Sequence, residues 1–116
     1  MADPCVFCGI ASKRIQPKIL FEDDDVMAFP DIAPQAPTHV LVIPKQHVAT
    51  LNDLSAADER LAGKLLLAAA RIARDQGCAD QGYRLIVNCN KHGGQEVFHV
   101  HLHVLGGRPL GPMLAR

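Results

Sequence analysis

The sequence predicts an α+β domain, an antiparallel meander sheet with one long helix and a short N-terminal helix. Four or five segments carry the apolar patterns of strands, whereas a single segment repeats apolar residues at three- and four-residue steps. Strands with segregated helices are typical of this fold class. The 116 residues, 48% apolar and 21% charged, have no break in composition. A single domain over 1–116 is therefore expected.

The N-terminal half is predicted to hold a short helix and three strands. Three aspartates in "KILFEDDDVMAFPD" separate two apolar segments, which indicates a turn between two strands. Two prolines make "IAPQAPTH" a loop, and Pro44 ends the apolar segment that follows. The predicted elements are a helix over 5–12, with Asp3 as its cap and Pro4 in its first turn, and strands over 18–22, 26–30 and 39–44.

The C-terminal half is predicted to begin with the long helix. "SAAD" places an acid three positions after Ser55, the capping-box pattern, and Gly77 is a natural C-terminal stop. The apolar face of this helix consists of Leu61, Leu65, Ala69, Ile72 and Ala73. A strand over 83–89, a Gly-rich loop over 90–96 and a last strand over 97–105 follow.

The charge balance and the N-terminus narrow the function classes. Twelve basic and twelve acidic residues give no net charge, so the chain lacks the electrostatic footprint of a nucleic-acid-binding protein and tolerates self-association. "MADPCVFCGI" does not resemble a secretory signal, and no apolar stretch approaches the ~20 residues that span a bilayer. We therefore expect a cytoplasmic protein without nucleic-acid or membrane partners, whose four cysteines form no disulfide framework.

The segment "FHVHLHVLGG" carries three histidines at alternate positions. On a strand, His99, His101 and His103 share one face, about 6.5–7 Å apart, and the intervening aliphatic residues share the other. The aliphatic face suits the core, which leaves the histidine face for chemistry. Two uses fit: a metal site, or nucleophilic catalysis in which one imidazole attacks phosphorus and its neighbours hold the phosphate. The spacing alone leaves both open.

The residues from His99 to Leu105 resemble the His-φ-His-φ-His-φ-φ signature of the histidine-triad (HIT) superfamily, where φ is apolar. "FEDDDVMAFPDIAPQAPTHVLVIPKQH", "NKHGGQEVFHVHLHVLGG" and "RPLGPMLA" are similar to its Hint branch, the last and "GGQE" to bacterial members in particular. The resemblance covers nearly the whole chain. It implies a homodimer of the HIT-like α+β fold that binds purine nucleoside monophosphates and hydrolyses phosphoramidates, such as adenosine 5′-phosphoramidate and AMP-lysine adducts.

The resemblance also implies roles for individual residues. His101 matches the nucleophile that takes the nucleotidyl group, His103 the histidine that contacts the phosphate, and His39 the upstream histidine near the nucleophile. Imidazole suits nucleophilic attack because it is largely neutral near pH 7 and its phosphoramidate adduct is labile to water. Asp31 matches the carboxylate on the ribose hydroxyls, and Asn88 and Gln95 match polar residues around the phosphate and its leaving group. Glu96 stands where eukaryotic members often have Ser beside the leaving group. The implied nucleotide-binding residues are Phe7, Ile10, Ile15, Phe29, Asp31, Ile32, Asn88, Gly94, Gln95, Glu96 and Val97.

A structural zinc ion is the cofactor that the resemblance implies, and none is expected for catalysis. Cys5 and Cys8 form a Cys-x-x-Cys pair, which by itself is half a zinc site or a redox pair. The wider superfamily adds a histidine after the "PK" turn and the first histidine of the triad, which here are His47 and His99. The other cysteines, Cys78 and Cys89, are interpreted as buried small apolar residues, and His92 as solvated.

Three other functions stay open at this point. The chain is alternatively a purine-nucleotide-binding scaffold with incidental hydrolysis, a metal-centred site that uses all three triad histidines, or a dinucleoside polyphosphate hydrolase. For the homodimer, the helix over 56–76 offers an apolar contact surface, which the fold of one subunit would equally bury.

Overall fold

The computed structural model describes residues 5–115. The predicted cap Asp3 and Pro4 lie outside this range; Cys5 is the N-cap of the first helix, and its Sγ accepts from the Cys8 N–H. The elements are α1 (Val6–Ala11), β1 (Phe21–Glu22), β2 (Val26–Pro30), β3 (Thr38–Pro44), 3₁₀ turns at Leu51–Asp53 and Ala56–Asp58, α2 (Glu59–Asp75), β4 (Tyr83–Val87), α3 (Asn90–Gly93) and β5 (Leu102–Gly106).

The five strands form one antiparallel sheet in the order β1-β2-β3-β5-β4. The first three strands are a meander. The chain then crosses by way of α2 to the edge strand β4 and returns as β5, which pairs with both β3 and β4. The predicted α+β class with one long helix and a short N-terminal helix is confirmed.

The two faces of the sheet carry different cores. One face packs on α2, through side chains such as Val42, Val104 and Ile72. The other face packs on α1, where Phe7 and Ile10 lie against residues of β2 and β3. Successive strand residues alternate between these faces, so the aliphatic residues of "HVHLHV" join the α2 core and the histidines lie on the α1 side.

The long helix begins as its sequence predicts. Both halves of the Ser55–Asp58 capping box are formed, although the first turn is 3₁₀ and the α-helix starts at Glu59. Gly77 follows the helix with φ of +79°, a conformation that glycine adopts without strain. Among residues 5–115, no helix is both long enough and apolar enough to cross a membrane.

Two strands are shorter than predicted. β1 covers 21–22 instead of 18–22: the register slips at Leu20, whose N–H bonds the carbonyl of Ala28, the residue that already pairs with Phe21. β5 starts at Leu102 instead of 97 because position 100 would face Pro44, and the Val100 N–H bonds the Val48 carbonyl instead, at 2.7 Å.

The Gly-rich segment over 90–96 is predicted to be a loop, but part of it is helical. Asn90–Gly93 form one helical turn, closed by Gly94 at φ +79° and by Gln95, whose Oε1 accepts from the Asn90 N–H. The prediction of burial is right for Cys78, whereas Cys89 is only partly buried.

Candidate active site and metal centre

A pocket of about 650 Å³ opens on the α1 side of the sheet. That volume is typical of a site for a small organic ligand. Helix α1 forms one wall, the end of β2 and the loop after it form another, and the histidine segment forms the floor. The side chains are largely apolar, and the polar ones include Asp31, Asn88, His101 and His103.

His101 is held so that one ring nitrogen faces away from its anchor. Its Nδ1 lies 2.7 Å from the carbonyl oxygen of His99. Because a carbonyl only accepts, Nδ1 carries the proton in this contact and Nε2 of the neutral ring keeps its lone pair. The ring is 7% exposed and packs edge-on against Phe7, with centroids 5.0 Å apart. This arrangement presents to the pocket an oriented imidazole whose Nε2 lone pair is available.

A second chain of hydrogen bonds sets the tautomer of His103. The backbone N–H of Gln35 donates to Nδ1 of His39 at 3.0 Å, which places the proton of neutral His39 on Nε2. That Nε2–H donates to Nδ1 of His103 at 2.9 Å. Neutral His103 therefore carries its own proton on Nε2, where it can donate to an acceptor in the pocket.

His103 is held neutral by its surroundings. Burial, together with repulsion from His101 and His39, lowers its pKa from 6.5 to about 4, although Asp31 acts in the opposite direction. A neutral ring donates one hydrogen bond from Nε2 without adding a charge of its own.

Cys5, Cys8, His47 and His99 bring one ligand atom each to a common point, all within 4.8 Å of one another. The His99 Nδ1 lies 3.5 and 3.6 Å from the two sulfurs and 3.3 Å from the His47 Nδ1. Tetrahedral zinc sets these ligand atoms about 3.6 Å apart for S and N and about 3.3 Å apart for two N. The Cys8 Sγ–His47 Nδ1 distance is shorter, 3.0 Å, and the exposed His47 ring has room to withdraw. The donor set fits zinc.

His99 offers the correct nitrogen to this cluster. It is fully buried, and its Nε2 lies 2.8 Å from the Pro44 carbonyl oxygen, so Nε2 carries the proton and Nδ1 is free to act as a ligand. Burial lowers the pKa of His99 below its ordinary value, as do His47 and His101, while the bond to Pro44 opposes the change. A neutral imidazole is the form that binds metal.

The structure does not support a metal held by all three triad histidines. Within residues 5–115, the side chains that lie close enough to share a metal ion fall into two groups. His99 belongs to the cysteine cluster, and His103 lies in a separate group with Asp31 and His39. In that second group the His39 Nδ1 accepts the Gln35 N–H, so the proton on Nε2 blocks it as a ligand.

Nearly all the residues implied to bind nucleotide line this pocket. Asp31 does so with Oδ1 bonded to the Ala33 N–H at 2.8 Å and Oδ2 3.5 Å from the His39 Nε2. The others on the wall are Phe7, Ile10, Ile15, Phe29, Ile32, Asn88, Gly94, Glu96 and Val97, together with His101 and His103.

Two of the implied residues lie behind the wall. His39 is buried, and its Nε2 lies 2.9 Å from the Nδ1 of His103. Gln95, expected near the phosphate, is buried with its amide bonded to the Ala49 and Val97 carbonyls and to the Asn90 N–H. This amide is occupied by backbone groups and does not face the pocket.

Several wall residues were not found from the sequence. Leu41 pairs with Phe29 across β2 and β3, so the strand register, once known, places both on the same face. Lys18 is not among the positions that the resemblance implied, and no sequence motif marks it as a pocket residue. The full set missed is Val6, Pro17, Lys18, Pro30, Ala33 and Leu41.

The family model of the HIT domain matches residues 12–110. A curated relative, the purine nucleoside phosphoramidase of Escherichia coli K12, is 54% identical over 115 residues, 99% of this chain and 97% of its own. A HIT family hydrolase of Legionella pneumophila is 50% identical with a TM-score of 0.90, covering 92% of this chain and 96% of its own.

A zinc-bound histidine triad family protein of Mycobacterium smegmatis superposes with a TM-score of 0.77 at 33% identity, covering 97% of this chain and 80% of its own. The matched residues include the histidine segment, the pocket walls on β2 and β3, and the Gly-rich turn. By family model, sequence identity and fold alike, the chain belongs to the HIT domain family.

Proposed function

We propose that the protein is a purine nucleoside phosphoramidase, which hydrolyses the P–N bond between a purine nucleoside monophosphate and an amine through a nucleotidyl-histidine intermediate. The observation that carries this proposal is His101, whose Nδ1 is tied to the His99 carbonyl so that Nε2 is a lone-pair nitrogen at the pocket floor. The full-length likeness to a relative named for this activity supports it.

In the first step, the His101 Nε2 attacks the α-phosphorus and the P–N bond breaks. The bond to the His99 carbonyl stabilises the imidazolium that forms, because the Nδ1 proton already has its acceptor. His103 donates its Nε2–H to a phosphate oxygen on which charge develops. The departing amine takes up a proton from solvent, which the attacking water of the second step returns, and leaves as the free amine.

In the second step, water attacks the nucleotidyl-histidine and releases the nucleoside monophosphate with the imidazole restored. His39 acts on this cycle through His103: it does not reach the substrate, and it keeps the proton of His103 on the nitrogen that faces the phosphate. Asp31 is assigned to the ribose hydroxyls, since a carboxylate accepts from both. The purine occupies the apolar part of the pocket, between α1 and β2.

The test is release of AMP from adenosine 5′-phosphoramidate, with mass spectrometry of the protein after it has been quenched during turnover of a slow substrate. We expect steady turnover and a nucleotidyl adduct on the peptide that holds His101. A dinucleoside polyphosphate, run beside it, should be cleaved far more slowly. The outcomes against the proposal are tight AMP binding without turnover, which favours a scaffold, and preferential cleavage of the polyphosphate.

We further propose that Cys5, Cys8, His47 and His99 hold a structural zinc ion. When bound, the ion would cross-link α1 to the segment that precedes β5, as a closed site without an open position for substrate. Metal analysis of protein purified without chelators should give one zinc per chain, and none for the Cys5→Ser, Cys8→Ser double variant. Near-zero zinc in the native protein would contradict this.

The remaining proposals concern assembly and location. We propose a homodimer, supported by Leu66 and Leu67 of α2, which are 55% and 73% exposed, and by β4 at the sheet edge. Analytical ultracentrifugation at micromolar concentration tests it: a mass of twice 12.6 kDa is expected, and a single-chain mass would exclude it. The cytoplasmic location predicted from the sequence is retained as a proposal, since thiolate ligands keep their chemistry in a reducing compartment.

A further inference from the structure

The cysteine cluster and the nucleotide pocket share one structural element, helix α1. The helix has six residues, too few to be stable without anchors. Two of its anchors are Cys5 and Cys8, at its N-cap and first turn. Its other side carries Val6, Phe7 and Ile10, all of which line the pocket. Whatever fixes the cysteines therefore fixes three residues of the pocket wall.

Phe7 is the closest physical link between the two sites. It lies between the two cysteines in sequence, and its ring packs edge-on against both His99 and His101, with centroid separations of 5.9 and 5.0 Å. The same ring contacts Phe29 on the opposite wall of the pocket, at 5.7 Å. A metal ligand, the proposed nucleophile and the purine wall thus meet on one buried aromatic side chain.

We propose that metal and nucleotide bind cooperatively, because each orders α1 and the Phe7 ring for the other. This inference rests on the proposed function and deepens it. A ligand that binds an already ordered element no longer bears the entropy of ordering it, so the second binding event is tighter. Coupling of this kind is reciprocal: zinc must raise the affinity for nucleotide by the factor by which nucleotide raises the affinity for zinc.

The experiment measures both directions of the coupling on the full chain. Calorimetry gives the Kd of AMP for zinc-loaded protein and for protein stripped with a chelator, with circular dichroism to establish that the stripped protein is folded at the temperature used. Competition with a chromophoric chelator gives the Kd of zinc with and without saturating AMP. We expect both ratios to agree at roughly tenfold or more, within the usual range for coupled sites.

Two variants separate coupling from simple damage. Phe7→Leu keeps all four metal ligands and an apolar wall but removes the ring contacts, so both ratios should fall toward one while zinc still binds. Ile32→Ala is the matched control: Ile32 lines the pocket from the loop after β2 and is fully exposed, so its loss should weaken AMP equally in both states and leave the ratio unchanged.

The possible failures are distinguishable. If zinc-loaded protein does not bind AMP, the proposed function fails and the coupling fails with it. If AMP binds equally well with and without zinc, and zinc binds equally well with and without AMP, the coupling is overturned while the function stands. If the stripped protein unfolds, both titrations are repeated at a lower temperature at which circular dichroism shows it folded, because with an unfolded stripped protein AMP would raise the zinc affinity by mass action alone.

Discussion

The cysteine cluster and the nucleotide pocket use the same device on histidines two positions apart, with opposite outcomes. In the cluster, the Nε2–H of His99 donates to a backbone carbonyl, and Nδ1 faces the sulfurs. In the pocket, the Nδ1–H of His101 donates to a backbone carbonyl, and Nε2 keeps its lone pair. The residue type is identical, so the carbonyl that each ring bonds decides which nitrogen keeps its lone pair: Nδ1 in the proposed metal ligand and Nε2 in the proposed nucleophile.

Replacing one of these two histidines at a time should give the largest effects and separate the two sites. His101→Ala should lower kcat/KM for adenosine 5′-phosphoramidate at least about a thousandfold, since the nucleophile is lost, while zinc content stays at that of the native protein. His99→Ala should instead remove zinc and destabilise the fold by about 3–5 kcal/mol, because a fully buried ring and a metal ligand are lost. Steady-state kinetics, metal analysis and thermal unfolding are measured on both variants.

In none of these assays should either substitution produce the effect expected of the other. A His101→Ala variant with more than a tenth of native activity would show that His101 is not the nucleophile. A His99→Ala variant with full zinc content and native Tm would show that His99 is not a zinc ligand.

His39 is proposed to act through another histidine, which it contacts through its Nε2. His39→Ala removes the donor to the His103 Nδ1, so His103 becomes free to adopt either tautomer. We expect kcat to fall roughly tenfold to a hundredfold with little change in KM, because the phosphate loses a fixed donor when charge develops on it. The ¹⁵N shifts of His103 should change from the Nε2–H tautomer to a mixture.

Gln35→Ala is the matched control for His39. Gln35 donates to His39 through its backbone N–H, which the substitution keeps, whereas its side chain donates to the Ala33 carbonyl. The control should retain native kcat and the native tautomer of His103. A His39→Ala variant with unchanged His103 shifts would show that the chain of hydrogen bonds does not set the tautomer.

Residues far apart in the sequence show how much of the site was predictable. The alternation of histidine and aliphatic residues predicts that the histidines share a face, and the resemblance brings Cys5 and His99, which are 94 positions apart, to one site; the structure agrees on both. The carbonyl groups that accept from His99 and His101 could not be predicted from the sequence, because their positions depend on where the strands end. The pairing of β3 with β5 ends at Val42, and the Pro44 carbonyl beyond it accepts from the His99 Nε2–H.

Gln95 shows the same limit on a polar side chain. Its neighbours Gly94 and Glu96 line the pocket, and motif matching alone treats all three alike. The direction of the Gln95 amide follows from the one-turn helix α3, whose open N–H at Asn90 it accepts from, and no local pattern predicts that turn. Sequence resemblance therefore identifies which positions gather at a site more reliably than which way each side chain points.

Gln95 gives a smaller prediction of its own. Gln95→Ala leaves two carbonyls and an N–H without their partner and should destabilise the fold by about 2–3 kcal/mol. KM for the phosphoramidate should stay within about twofold of native. Gln95→Glu should destabilise more, because its carboxylate would face the Ala49 and Val97 carbonyls. A raised KM at native Tm would instead return Gln95 to the phosphate.

The smallest expected effect is the titration of His103. Burial and the neighbouring imidazoles lower its pKa from 6.5 to about 4, so the unfolded chain takes up this proton first as the pH falls. The stability that depends on neutral His103 is complete above pH 6.5 and is lost as the pH falls toward 4. An NMR titration of the ligand-free protein should give a midpoint near 4, and His103→Asn should show a shallower decrease of Tm across the same interval. A midpoint near 6.5 would mean that the ring is solvated, and then His103 would enter catalysis partly as a cation, with charge attraction to the phosphate in place of the fixed neutral donor.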